Sequence, residues 1–170
     1  MKKLIPIIAI IFMIFLSSCW DRFDRQDYYS SYKPILMEKS ILEKSVSAQN
    51  ARQMCATGKI YFKDNFIYIV EKYEGIHVID NSNPQEPNNV GFIGVPGSVD
   101  MAMKNNIIYV DNATDLVAID ISNGISGIEV TERIANIFPE LMPPDGLALK
   151  EEFQIQNRPE NTVIIGWEKY

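Results

Sequence analysis

From Gly58 onward, apolar and aromatic runs alternate with short turn segments, and the same order of runs and turns begins again near Ser98. Individual positions coincide as well: Lys63 falls on Lys104, Asn65 on Asn106, Tyr68 on Tyr109 and Ile69 on Val110 at an offset of 41. These observations predict an all-β fold of tandem four-stranded antiparallel meanders, two blades of an incomplete β-propeller, with a short N-terminal helix before them. Composition agrees. The 170 residues are 46% apolar and 22% charged, as in a folded chain with a core rather than a disordered acidic tail. Sixteen Lys and Arg face 22 Asp and Glu, for a net charge of -6, and no basic cluster exceeds Lys2-Lys3. Nucleic-acid binding, which needs a basic stripe to release counterions, is thereby excluded.

Taken in order, residues 1–18 read as a signal peptide. Lys2 and Lys3 supply a charged start, and Leu4 to Leu16 form an apolar run with Pro6 inside it. A permanent membrane span needs about 20 residues, more than this run supplies, so cleavage is expected. Leu16-Ser17-Ser18-Cys19 resembles the bacterial lipobox, which implies lipidation at Cys19: diacylation at sulfur, a new N-terminus at that cysteine and a further acylation. At about 0.8 kcal/mol per buried CH2, two or more acyl chains anchor stably where one is marginal. The expected partner is therefore the membrane, reached through the N-terminal lipid. Trp20 rather than Asp follows the cysteine, which resembles lipoproteins exported to the outer membrane, on its periplasmic or surface face. Cleavage before Cys19 removes Lys2 and Lys3 and takes the charge from -6 to -8, so anionic headgroups repel the body. Cys55 is then the one remaining thiol, expected as a small buried hydrophobe.

Residues 19–57 are expected as the lipidated tether and a short helix. Trp20 to Pro34 carries alternating Asp and Arg and then Tyr28, Tyr29 and Tyr32, an aromatic patch expected to dock on the body. Ile41, Leu42 and Val46 give a narrow apolar stripe that predicts a helix over Glu38 to Val46.

Residues 58–139 hold the repeats, about 58–97 and 98–139. The first has strands at Ile60 to Phe62, Phe66 to Val70, Ile76 to Asp80 and Val90 to Val95. The second has them at Val99 to Met103, Ile107 to Val110, Leu116 to Ile121 and Ile128 to Ile134. With a single deletion in the middle turn, Asp80 falls on Asp120 and Ser82 on Ser122 at an offset of 40. A twisted four-stranded sheet has two apolar faces to cover, and like neighbours packed face to face cover them.

Ile76-His77-Val78-Ile79-Asp80-Asn81-Ser82-Asn83-Pro84 and Leu116-Val117-Ala118-Ile119-Asp120-Ile121-Ser122-Asn123 resemble the LVIVD repeat family, with Gly124 where the pattern has Pro. The resemblance implies bacterial lipoproteins of the Bacteroidetes type built as β-propellers, and it carries no catalytic residues to transfer. A closed propeller needs at least four blades, so two leave an apolar face open on each side. Three outcomes follow: a truncated relative of a longer protein, self-association that covers the exposed sheet faces, or coverage by the flanks. Residues 140–170 read as a polar linker broken at Pro143-Pro144-Asp145-Gly146 and a terminal strand, Thr162 to Trp167. Because that strand resembles the start of another meander, truncation is the favoured outcome.

No catalytic, cofactor-binding or metal-binding residues are assigned. His77 stands alone in a strand, without the nucleophile and acid of a triad or the partners of a metal site, and is expected to face a polar neighbour or solvent. Ser98 lacks the second glycine and the following helix of a nucleophile elbow and reads as a turn serine. Asp80 and Asp120 are expected to accept backbone N–H bonds of their own turns. The alternative is a calcium loop at Asp80, Asn81 and Asn83 or at Asp111, Asn112 and Asp115, but both stretches lack the Gly and final Glu of an EF-hand. The functional expectation is a non-enzymatic, lipid-anchored cell-envelope module that binds a protein or glycan at loops on one rim. The rivals are a fragment without independent activity and an envelope hydrolase with rim carboxylates such as Asp100 and Asp115.

Overall fold

Alternating apolar side chains fix which face of each strand turns inward, and the turns between them are short enough to force antiparallel neighbours. The computed structural model describes residues 29–170. Its elements are β1 (Tyr32–Glu38), α1 (Lys39–Leu42), β2 (Ser47–Gln49), β3 (Thr57–Lys63), β4 (Phe66–Glu71), β5 (Gly75–Asp80), β6 (Asn88–Gly94), β7 (Met101–Lys104), β8 (Ile107–Asn112), β9 (Asp115–Asp120), β10 (Glu129–Ile134) and β11 (Thr162–Lys169). Three antiparallel sheets result, ordered β2-β6-β5-β4-β3, β10-β9-β8-β7 and β1-β11. The all-β, propeller-like reading of two meanders holds, and Tyr68 and Tyr109 occupy the second strand of each.

The turns repeat with the strands. Asp64 and Asn105, the first residues of the β3–β4 and β7–β8 turns, have φ of 53° and 55°. Tyr73 and Ala113, in the next turn of each sheet, have φ of 71° and 58°. Left-handed backbone thus recurs at equivalent places in the two repeats, although none of the four is glycine.

The main core lies between the two large sheets. Tyr68, Val70, Ile76, Val78 and Ile93 of the first meet Met101, Met103, Ile108, Val110, Val117 and Ile119 of the second. Each large side chain buried there contributes about 1.5–3 kcal/mol, which makes this interface the main source of stability. A smaller core of Leu42, Ala113 and Val163, with Met37 and Ile165 against it, seats the β1-β11 ribbon over the turn end of the second sheet.

Several expectations change. The helix expected over Glu38 to Val46 is a single turn at Lys39–Leu42, because Glu38 is the last rung of the β1–β11 ladder and the chain turns after Leu42 to bring Ser47 into a ladder with β6. Leu42 is buried and Ile41 exposed, while Val46 packs on the main core instead. Ser47–Gln49 adds an unforeseen fifth strand on β6. The terminal strand runs on to Lys169 and pairs with β1, not with a third meander. Of the three tyrosines, Tyr28 lies outside the described residues, Tyr29 forms a parallel bridge with Ala148, and Tyr32 opens β1. Cys55 is exposed, because its segment meets the first sheet through its backbone N–H and not through its thiol.

Candidate functional site

The register of β4 and β5 sets Phe66 opposite Asp80 and Tyr68 opposite Val78 at the end of the first sheet that carries the β5–β6 loop. The corresponding end of the second sheet contributes Ile121, Ser122 and Ile125. Between them opens a cleft of about 1080 Å³, with Gln49 and Asn50 along its side. Its lining combines aromatic rings with amide, hydroxyl and carboxylate groups.

The cleft's carboxylate is placed by its own turn. Ser82 N–H donates to Asp80 Oδ1 at 2.9 Å, and Ser122 N–H to Asp120 Oδ1 at 2.8 Å, as the sequence predicts. Side-chain and backbone bonds from these serines hold both carboxyls below the usual range, so both are ionised at neutral pH. Burial, with the nearby Asp64 charge, raises the Tyr68 hydroxyl and keeps it a neutral donor.

His77 lies on the far face of the first sheet and is fully buried. Its Nε2 stands 3.1 Å from Glu71 Oε2 and its Nδ1 3.4 Å from Asn89 Nδ2. The neutral tautomer that donates from Nε2 to the carboxylate and accepts at Nδ1 satisfies both contacts. Glu71 also accepts from Cys55 N–H at 3.1 Å and from Ala56 N–H. Burial would raise its carboxyl, but the bonds from Ala56, Cys55 and His77 outweigh that and lower it. Arg52, on the same crossing segment, stacks 3.7 Å over the Phe92 ring and pairs with Glu74, while its carbonyl accepts from Asn89 Nδ2 at 2.9 Å. His77 therefore helps strap residues 52–56 to the sheet and does not line the cleft.

The rim carboxylates are similarly engaged. Asp115 is fully buried, accepting from Arg133 Nη1 at 2.9 Å and Asn136 N–H at 3.0 Å. These bonds and the charges of Arg133 and Lys39 overcome burial and lower its carboxyl. Asp111 accepts from Val99 N–H and Asp100 N–H, both at 2.8 Å, yet burial, aided by the Asp100 charge, leaves its carboxyl raised. Asp100 pairs with Lys59 at 2.9 Å. Ser98 is buried in the β6–β7 turn, where Tyr73 N–H donates to its carbonyl. Asn112 belongs to β8 and donates to the Pro96 carbonyl.

Cys19, with residues 1–18 expected as a signal peptide and the Asp- and Arg-bearing stretch expected as a tether, lies outside the described residues. Among the described residues, no three His, Cys, Asp or Glu side chains are grouped to hold a metal ion, and no helix is long and apolar enough to cross a membrane. The cleft itself escaped sequence reasoning. The alternation of β4 signals that Phe66 and Tyr68 share a face, but which loops flank them depends on where the second sheet packs.

No curated protein and no solved structure matches this chain significantly. Residues 56–93 and 97–131 match the LVIVD repeat, the first spanning β3 to the penultimate residue of β6 and the second running from the β6–β7 turn into β10. Two tandem stretches, one in each large sheet, are thus similar to the LVIVD repeat.

Proposed function

We propose that this protein is a lipid-anchored module of the bacterial cell envelope, held at the outer membrane through Cys19, that binds a glycan in the cleft between its two sheets and performs no chemistry on it. The single observation that carries the reading is the cleft lining: half-buried Phe66, backed by the buried Tyr68, gives it an apolar wall for a sugar ring. Around them Asn50, Gln49, Ser122 and ionised Asp80 supply donors and acceptors suited to hydroxyl groups. The burial of His77 and Asp115 in complete hydrogen-bond sets supports a non-enzymatic role over a hydrolase.

The binding half is tested by cosedimentation with purified peptidoglycan sacculi and by calorimetry with soluble oligosaccharides. Asn50→Ala and Tyr68→Phe, which remove polar groups and leave the fold in place, should each weaken binding about 10-fold, the scale of one lost hydrogen bond. Unchanged binding by both variants places the ligand elsewhere. The anchoring half is tested by fractionation: Cys19→Ser should move the protein out of the membrane fraction, and its retention there removes the lipid anchor.

A further inference from the structure

The contact between the two sheets serves as a template for the two faces that lack one. Met101, Met103, Ile108 and Val110 carry the second sheet's side of the core. At the repeat offset of 41 their counterparts in the first sheet are Ile60, Phe62, Ile67 and Ile69. Ile60 pairs with Ile69 and Phe62 with Ile67, so these four share the face of the first sheet turned away from the core. Position and chemistry match but exposure does not: Met101 and Met103 are 2% and 9% exposed, Ile60 and Phe62 63% and 61%. The reverse comparison gives the same result. Tyr68, 6% exposed in the core, corresponds to Tyr109, 37% exposed beside Ala102 on the outward face of the second sheet. Phe138 and Met142 from the following segment border that face and extend its apolar surface.

Charge matches too. Lys59 and Asp100, which join the two repeats, occupy equivalent positions, separated by that same offset. If the second repeat takes the role of the first and a new first repeat takes the role of the second, Asp100 meets Lys59 again with the signs exchanged. The crossing segment covers Phe92 of β6 and His77 of β5 and leaves Ile60 and Phe62 of the edge strand β3 exposed.

We infer that the chain assembles head to tail with copies of itself, the outward face of β3-β4 in one copy packing on the outward face of β7-β8 in the next. The two surfaces differ, so the contact is heterologous, and the blade-to-blade rotation of a propeller, repeated without translation, closes it into a ring. Propellers close at four to eight blades, which corresponds to about two to four copies of a two-blade chain.

Native mass spectrometry of the full chain released from detergent tests the assembly. The wild type should appear as a closed assembly of two to four copies. Phe62→Lys and Tyr109→Lys, each spoiling one surface at an exposed position, should each be monomeric. Their equimolar mixture should form a dimer with one of each and nothing larger, because each variant retains the surface the other lacks. A monomeric wild type, a single variant that stays assembled, or a mixture that stays monomeric overturns the inference. Circular dichroism melts check each fold, and Ile60→Lys and Ala102→Lys replace any variant that does not melt cooperatively.

Discussion

Glu71 is the most connected acid on the far face of the first sheet, and Glu71→Gln isolates what its charge does. The carboxylate accepts from two backbone N–H groups and from His77, whereas glutamine turns an NH2 toward donors and leaves one of them without an acceptor. Bonds to a charged group contribute about 1.5–3 kcal/mol each, but Cys55 and Ala56 are exposed and their N–H groups can turn to water. The buried His77 contact cannot be replaced that way, so the net loss is about 2–4 kcal/mol. Against a total of about 5–15 kcal/mol and a urea slope of about 1–3 kcal/mol per molar, the midpoint should fall by roughly 1–2 M. The pH dependence has a definite sign. The folded carboxyl is lowered, so its contribution is present above the unfolded value near pH 4.3 and is lost as pH falls through the folded value. Wild type and variant should therefore converge in urea titrations carried progressively below about pH 4. Equal midpoints at pH 7, or a gap that persists unchanged into acid, refutes the assignment.

Ile108→Ala, which empties a fully buried site between the sheets, should cost about 2–5 kcal/mol in the same titration, and a smaller loss means the sheets separate easily. Gly97→Ala combines a φ of 81° with a Cβ placed 2.7 Å from Ala113 N, while Gly124→Ala, at a φ of 73°, meets nothing within 4 Å. Both should lower the melting temperature, Gly124→Ala through its backbone alone, which at a ψ of -177° lies where only glycine fits readily and costs about 1–3 kcal/mol, and Gly97→Ala further through the overlap; a Gly97→Ala melt no lower than that of Gly124→Ala refutes the close approach of the two repeats at Gly97. Ellman's reagent should react with Cys55 in the native protein without denaturant, and protection until unfolding would contradict its exposure.

Local pattern revealed most of the two large sheets. Phe66 to Glu71 and Gly75 to Asp80 are β-branched and aromatic runs divided by a short turn, so their pairing needed no long-range information. The Asp80–Ser82 and Asp120–Ser122 bonds were equally local. The ribbon was not, because Tyr32 pairs with Lys169 across almost the whole described chain, and β1 alone reads as the approach to a helix. The partner of His77 was legible but overlooked. Once a short turn joins β4 to β5, Glu71 opposite Gly75 and Ile69 opposite His77 put the acid and the imidazole on one face. Burial of Asp115 against Arg133 depended on where the chain leaves β10, which no period in the sequence specifies.

The ribbon also determines how the molecule answers tension. Tyr32 lies beside Lys169, so force applied at those two residues opens the ladder from that end, a pair of bonds at a time, instead of shearing all of them together. The repeats stay unloaded until the last rung, Glu38 with Thr162, has parted. Stretching is thereby absorbed by a segment outside both of the stretches that resemble the LVIVD repeat.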